Sequence, residues 1–141
     1  MLSNEYLAGL IDGEGCISFS CKHKASGVTG IRVDIGLCGS SMIQPLSNYI
    51  PTPTIRLSKR EYPKNNIMRY RWGGPKAATI LERILPHLII KRKQVVLALQ
   101  YEYTRKWFRE TFGSHTYDPE LNQIGLDCQK ECSHLKEMSY A

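Results

Sequence analysis

Leu7-Ala8-Gly9-Leu10-Ile11-Asp12-Gly13-Glu14-Gly15 is the stretch whose reading decides the fold. Leu7, Leu10 and Ile11 recur at helical spacing behind Ser3 or Asn4, either of which suits a helix cap, with Glu5 favourable in the first turn. Gly13 or Gly15 is the expected stop. Small residues Ala8, Gly9, Asp12 and Gly13 lie at i, i+4 spacing and form a strip where a second backbone could approach closely. Asp12 and Glu14 stand where the helix ends. Two packed copies would therefore gather both pairs of carboxylates near one axis. Carboxylate oxygens are the ligands Mg²⁺ prefers, so such a junction could hold divalent ions against a phosphate.

Beyond the helix the period changes from helical to alternating. In Cys16–Lys22, Ile17, Phe19 and Cys21 share one face and Ser18, Ser20 and Lys22 the other. In Ile31–Leu37 the odd positions are apolar while Arg32 and Asp34 point away, and Ser26-Gly27 with Gly30 supplies a hairpin loop. Ser40 and Ser41 offer a cap for a short helix through Met42, Ile43, Leu46 and Ile50, which Pro51 and Pro53 terminate. A second strand pair is expected at Ile55–Arg60 and Ile67–Trp72, joined by a loop with Pro63 and Asn65-Asn66. Gly73-Gly74-Pro75 opens a helix to about Leu85. Two more are expected, over roughly Lys91–Arg109 and Glu120–Lys136.

Two hairpins with helices between them predict an α+β fold, an antiparallel sheet with helices packed on one face. The other face would collect Ser18, Ser20, Lys22, Lys24, Arg32, Asp34, Arg56, Ser58, Arg60, Arg69 and Arg71. Any antiparallel sheet can have a solvated polar face. Seven basic residues among eleven exceed what solubility needs and favour a nucleic-acid surface. A twisted two-stranded ribbon fits the major groove, where Arg, Ser and Asp can read base edges.

The 141 residues fit one domain, 1–141, with 42% hydrophobic and 23% charged residues, the balance of an ordinary globular protein. No run of 18 apolar residues supports a membrane span, and the first residues lack the basic-then-apolar pattern of a secretory signal. Net charge is +6 but uneven: residues 16–93 hold fourteen basic and three acidic side chains, residues 110–141 two and six. A basic middle with an acidic end suggests one surface made for a polyanion and another kept clear of it. The five cysteines, Cys16, Cys21, Cys38, Cys128 and Cys132, are read as reduced thiols. Cys128 and Cys132 with His134 lack a second ligand pair at zinc spacing, so buried or half-buried thiols are the better reading. Trp107, Phe108 and Phe112 read as a core-facing helix stripe, and the acidic last helix as packing away from any polyanion. No GxGxxG, P-loop or nucleophile motif points to a small-molecule substrate.

The Leu7–Gly15 segment resembles the LAGLIDADG signature of the homing endonucleases, differing only where Gly13 and Glu14 stand. Pro86-His87-Leu88-Ile89-Ile90-Lys91-Arg92-Lys93-Gln94 is similar to the family's segment ahead of its later helix, so the resemblance spans roughly residues 3–110. It implies an αββαββα fold with a saddle-shaped sheet lying along duplex DNA, and cleavage of both strands with Mg²⁺, whose place Mn²⁺ or Ca²⁺ can take. It implies Glu14 as the acidic metal ligand beside the Gly13 carbonyl. Asp12 would tighten the junction of motif helices through backbone amides. Lys91 would stand near the scissile phosphate, where a cation is physically reasonable, and Arg92 and Lys93 would contact backbone phosphates. The family's water-organising residue after the second strand has no convincing match; Ser40 and Gln44 are the candidates.

A single motif implies a homodimer through Leu7, Ala8, Gly9, Leu10, Ile11 and Asp12, and a near-palindromic target. The resemblance also implies an intracellular setting, in a chloroplast, a mitochondrion or microbial or phage-infected cytoplasm. An intron-encoded RNA maturase or a non-cutting DNA-binding protein on the same fold could dispense with Glu14 and Lys91, which are both present.

Overall fold

Ser3 starts the first helix by accepting the Tyr6 N–H on its Oγ at 3.1 Å, which satisfies one of the amides a helix start leaves open. Helix α1 (Asn4–Glu14) then runs to Gly15, whose N–H bonds the Ile11 carbonyl. Close approach requires glycine here, since a Cβ on Gly15 would lie 2.7 Å from the Ile11 carbonyl oxygen. The chain passes directly into strand β1 (Gly15–Cys21). The computed structural model describes residues 2–21, 27–59, 66–113 and 118–139, with the side chains of Lys59 and Ser139 left aside. Lys22, Lys24 and Arg60 lie outside the described residues.

Strand β2 (Val28–Cys38) returns beside β1, and helix α2 (Ile43–Ser47) leads to strands β3 (Thr54–Lys59) and β4 (Asn66–Gly73). The sheet order is β1-β2-β4-β3, every pair antiparallel. Helix α3 (Gly74–Ile84), a 3₁₀ turn (Leu85–His87), helix α4 (Arg92–Phe112) and helix α5 (Pro119–Ser139) complete the chain. The α+β expectation holds, with each expected strand within a few residues of its place.

Alternation sends Ile17, Phe19, Ile31, Val33, Ile35, Tyr70 and Trp72 to one face of the sheet, where α1, α3 and α4 cover them. Leu7 and Ile11 of α1 are fully buried there, each worth about 2 kcal/mol of transfer free energy against about 1 kcal/mol for the Ser3 cap. Packing, more than capping, therefore holds α1 in place. Helix α5 packs on α4 and on the β1–β2 end of the sheet. Gly125 permits this, because a Cβ there would stand 2.8 Å from Val28 Cβ and 3.0 Å from the Tyr101 ring. Among the described residues no helix is long and apolar enough to cross a membrane.

Three expectations need correction. The helix expected from Ser40 to Ile50 is only Ile43–Ser47, and Ser40 and Ser41 supply no side-chain cap; Met42 stands at that position. Pro45 falls in its first turn, where a missing N–H is harmless, and Asn48 closes the last turn on the Gln44 carbonyl. The chain then bends so that Pro51 presents its carbonyl to the Trp72 indole N–H at 2.7 Å. Second, only Phe108 of the aromatic stripe is buried, while Trp107 and Phe112 are 56% and 55% exposed. Helix α4 has 21 residues, about 31 Å, and its end outruns the core; the three rings meet edge-on or tilted at 5.2 to 6.0 Å. Third, α5 is not wholly remote from the polar surface, as its Lys136 shows below.

All five cysteines are free; Cys128 is half-buried and Cys132 buried, as the thiol reading expected. Burial pushes both thiols up. Tyr101 is also buried and donates its hydroxyl to the Val28 carbonyl at 3.1 Å. Burial raises its pKa to about 12, with Arg105 pulling down and Glu102 pushing up. The folded state thus holds this proton more tightly than the unfolded chain, so the stabilisation is complete below pH 10 and lost as pH rises towards 12. Tyr101→Phe is expected to lose about 1 kcal/mol at neutral pH and to flatten that alkaline decline. Thermal melts of both proteins at pH 8, 10 and 11.5 check it.

Candidate active site and nucleic-acid interface

The end of α1 meets the start of α4 through one carboxylate. Asp12 Oδ2 accepts the Ile89 N–H at 2.7 Å, and Oδ1 accepts those of Ile90 and Lys91 at 3.2 and 2.9 Å. An acid at its own helix's C-terminus opposes the dipole, but this one lies at the positive N-terminus of α4 and takes up the amides found there. The Lys91 ammonium answers by donating to the Asp12 carbonyl at 2.7 Å. Asp12 does bind backbone amides, and those amides belong to its own chain. Lys91 is the N-cap residue of α4. Arg92 donates to the Leu85 carbonyl at 3.1 Å, and Lys93 is exposed.

Glu14, the last residue of α1, is exposed and makes no hydrogen bond or ion pair among the described residues. Beside it, Gly13 has nothing within 4 Å of where a Cβ would stand. Exposed Glu14 and Gly13 thus offer a carboxylate and a backbone carbonyl, both hard oxygen donors of the kind Mg²⁺ and Ca²⁺ take. Among the described residues no three His, Cys, Asp or Glu side chains converge on a metal-sized site. The donor chemistry fits a hard divalent ion, and a single copy supplies too few donors for one.

The strand register brings the described polar residues to one face of the sheet. Ser18 stands opposite Arg32, Asp34 opposite Arg71, and Arg56 opposite Arg69, with Ser58 next along β3. Asp34 is held between two guanidiniums, Arg32 Nε at 2.9 Å and Arg71 Nε at 2.5 Å. Ser20 turns its hydroxyl to the Gly30 carbonyl at 3.1 Å. Arg56 and Arg69 are exposed and directly opposite. Like charges so placed repel, and an anion lying between them would relieve it.

Leu7, Ala8 and Ile11 are fully buried in the chain's own core, so these three of the expected interface residues are closed to a second copy. Helical geometry turns Tyr6, Gly9, Leu10 and Gly13 to the open side instead, where Tyr6 is 54% exposed and Gly9 has nothing within 4 Å of a Cβ position. Exposed Ile89 and Ile90 precede α4.

Two residues beyond those anticipated enter the cleft lined by Asp12, Gly13, Gly15, Cys16, Ile90 and Lys91: Gln94 and Lys136. Lys136 reaches from α5 to within 3.5 Å of Cys16 Sγ, a placement that no local pattern in an acidic helix announces. Gln94, one turn after Lys91, was legible only as part of the Pro86–Gln94 segment. Ser40 and Gln44 are exposed, and Gln44 lines a separate groove with Leu2, Pro45 and Asn48.

No sequence-family model matches the chain, and no curated protein does. Solved structures do. The homing endonuclease I-CvuI in complex with its target is 23% identical, matching 94% of this chain and 80% of its own with a TM-score of 0.68. The LAGLIDADG meganuclease I-AabMI bound to uncleaved DNA is 20% identical over 91% of this chain, which spans 44% of that longer one, with a TM-score of 0.65. An archaeal intron-encoded homing endonuclease complexed with DNA is 15% identical, covering 96% and 93% of the two chains at a TM-score of 0.64. With its nine-residue motif ending α1 and Asp12 joining that end to α4, this four-stranded architecture is the fold of the LAGLIDADG homing endonucleases.

Proposed function

We propose that the chain is a site-specific endonuclease that acts as a homodimer and breaks both strands of a long, near-palindromic DNA duplex by metal-dependent phosphodiester hydrolysis. The observation that carries this reading is the junction of α1 and α4, where an unengaged Glu14 lies two residues from the carboxylate that pins Lys91. A binding module has no use for a free acid beside a polyanion surface, because the acid repels phosphate. A hydrolase does, once a divalent ion sits between them. Two I-CvuI complexes were obtained in the presence of calcium and of magnesium, the DNA of the magnesium complex being uncleaved, so they bear on divalent ions accompanying such complexes and not on cutting.

Each part then has a physical task. Glu14 and the Gly13 carbonyl would hold the ion, with the same pair from a second copy making up the donor set. When bound, Mg²⁺ supplies a Lewis acid for the phosphoryl oxygens. Lys91 keeps its ammonium near that junction and offsets charge that develops on the phosphate. The open side of α1 would seat the second copy, with Gly9 and Gly13 letting the two helices approach between the larger Tyr6 and Leu10. Each sheet would then lie along one half-site. Asp34 engages Arg32 and Arg71 through Nε, so the forked ends of both guanidiniums remain for guanine edges. Arg56 and Arg69 would straddle backbone phosphates, with Arg92 and Lys93 contacting phosphate nearer the centre.

The test is cleavage of a randomised duplex pool with Mg²⁺, followed by sequencing of the new ends. Paired ends around one near-palindromic site are expected. Binding of the pool with no new ends would overturn the nuclease reading in favour of a non-cutting nucleic-acid-binding protein, and ends at an asymmetric site would overturn the homodimer.

A further inference from the structure

Four of the five cysteines stand on two elements that meet, Cys16 and Cys21 on β1 and Cys128 and Cys132 on α5. Strand β1 is an edge of the sheet, and α5 packs against it. Two of the thiols come together at the start of the strand. Cys16 Sγ and Cys132 Sγ each donate to the Ile17 carbonyl oxygen at 3.9 Å. A shared acceptor puts the sulfurs no more than about 8 Å apart, and one change of χ1 rotamer swings a sulfur by roughly 3 Å. Packing accounts for Cys132, which is 2% exposed, since a free cysteine behaves as a small apolar side chain. It does not account for Cys16, which is exposed and receives the Lys136 ammonium on its sulfur at 3.5 Å. Lys136 stands one helical turn after Cys132 and so on the same face of α5. Its charge pulls the Cys132 thiol down against the burial that pushes it up. A cation between two neighbouring thiols suits the negative charge a sulfur carries as it attacks a disulfide.

We propose that Cys16 and Cys132 are a redox-active pair that closes to a disulfide on reaction with a small-molecule disulfide of the glutathione class, stapling α5 to β1. The exposed Cys16 reacts first. Its sulfur gives its proton to solvent and attacks one sulfur of glutathione disulfide, whose S–S bond breaks. The departing glutathione thiolate takes up a proton. Cys132 then gives up its own proton and attacks the Cys16 sulfur, and the second glutathione leaves and is protonated in turn. Two protein thiols are thereby oxidised to one disulfide, and one glutathione disulfide is reduced to two thiols. Nothing in this pair depends on the nuclease reading, because the bond forms or fails to form whether or not the chain cuts DNA.

The test incubates the full chain in glutathione buffers of stepped oxidation, blocks the remaining thiols and maps the peptides without reduction. The expected product joins the Cys16 and Cys132 peptides within one chain and reverts with dithiothreitol. The bond closes a loop over most of the chain, so the oxidised protein should melt roughly 5 to 15 °C higher. Cys16→Ser changes an exposed residue; it should fold as the wild type does and leave Cys132 unmodified. Cys132→Ala should leave Cys16 as a lasting glutathione adduct, because the thiol that displaces glutathione is gone. A wild-type chain that keeps glutathione on Cys16, that joins Cys16 to any other cysteine, or that leaves Cys16 reduced in the most oxidising buffer would overturn the pair. A Cys16–Cys132 bond that lowers the melting temperature would overturn it as well, since α5 would then have to leave its seat on β1 for the bond to form.

Discussion

Glu14→Gln is expected to reduce duplex cleavage by about a thousandfold, about 4 kcal/mol of transition-state stabilisation, while leaving the protein folded and bound to DNA. The side chain is exposed and makes no bond within the described residues, so no contact among them depends on its charge. At the C-terminus of α1 the acid works against the helix dipole, and its neutralisation should leave the melting temperature equal or slightly higher. Without metal, affinity for a duplex should rise, because an anion beside phosphate has been removed. A loss of cutting with retained or tighter binding is a signature that a structural role for Glu14 cannot produce. Glu14→Asp supplies the control, expected to retain part of the activity because the charge stays and moves by one methylene. Equal cutting by Glu14→Gln and the wild type would remove Glu14 from the site.

Asp12→Ala should do the opposite and damage the fold first. It strips three amides at the start of α4 of their acceptor. Those of Ile89 and Ile90 can turn to water, whereas that of Lys91 is partly buried, so the expected loss is about 2 kcal/mol. For a chain of this length that lowers the melting temperature by roughly 5 to 10 °C. Cleavage should fall further than stability explains, because the amide that Asp12 fixes and the ammonium that its carbonyl receives both belong to Lys91. Asp12→Asn keeps one acceptor oxygen and should recover part of each loss. Thermal melts beside single-turnover rates separate the two effects. A melt unchanged by Asp12→Ala would show that the carboxylate does not hold the junction.

The two substitutions lie two positions apart and are expected to fail in different ways, which bears on how much of this site can be read from a sequence. The motif itself marks both acids. Nothing within it tells that one carboxylate is spent on its own chain's α4 and the other is not, since the amides that decide the matter lie 77 to 79 residues away. Gln94 shows the same limit from the other side. As the third residue of α4 it should by local rules reach back to the Lys91 amide, which Asp12 takes instead.

Local chemistry was legible where it acts over a few residues. Ser3 and Gly15, each one of two candidates offered by the sequence, bound α1, strict alternation assigned Ser18, Arg32, Asp34, Arg56, Arg69 and Arg71 to one face, and Gly73-Gly74-Pro75 opened α3. Caps, periods of two and 3.6, and proline's missing N–H are properties of neighbouring residues, so the chain carries them wherever it packs. The tertiary structure alone decided which side of α1 is open, that Trp107 and Phe112 point outward, and that Lys136 joins Lys91 and Gln94 at one cleft. Those outcomes depend on where a helix ends relative to the core and on which distant group reaches an amide first. Neither is written in the spacing of adjacent side chains, because both follow from how the elements close on one another.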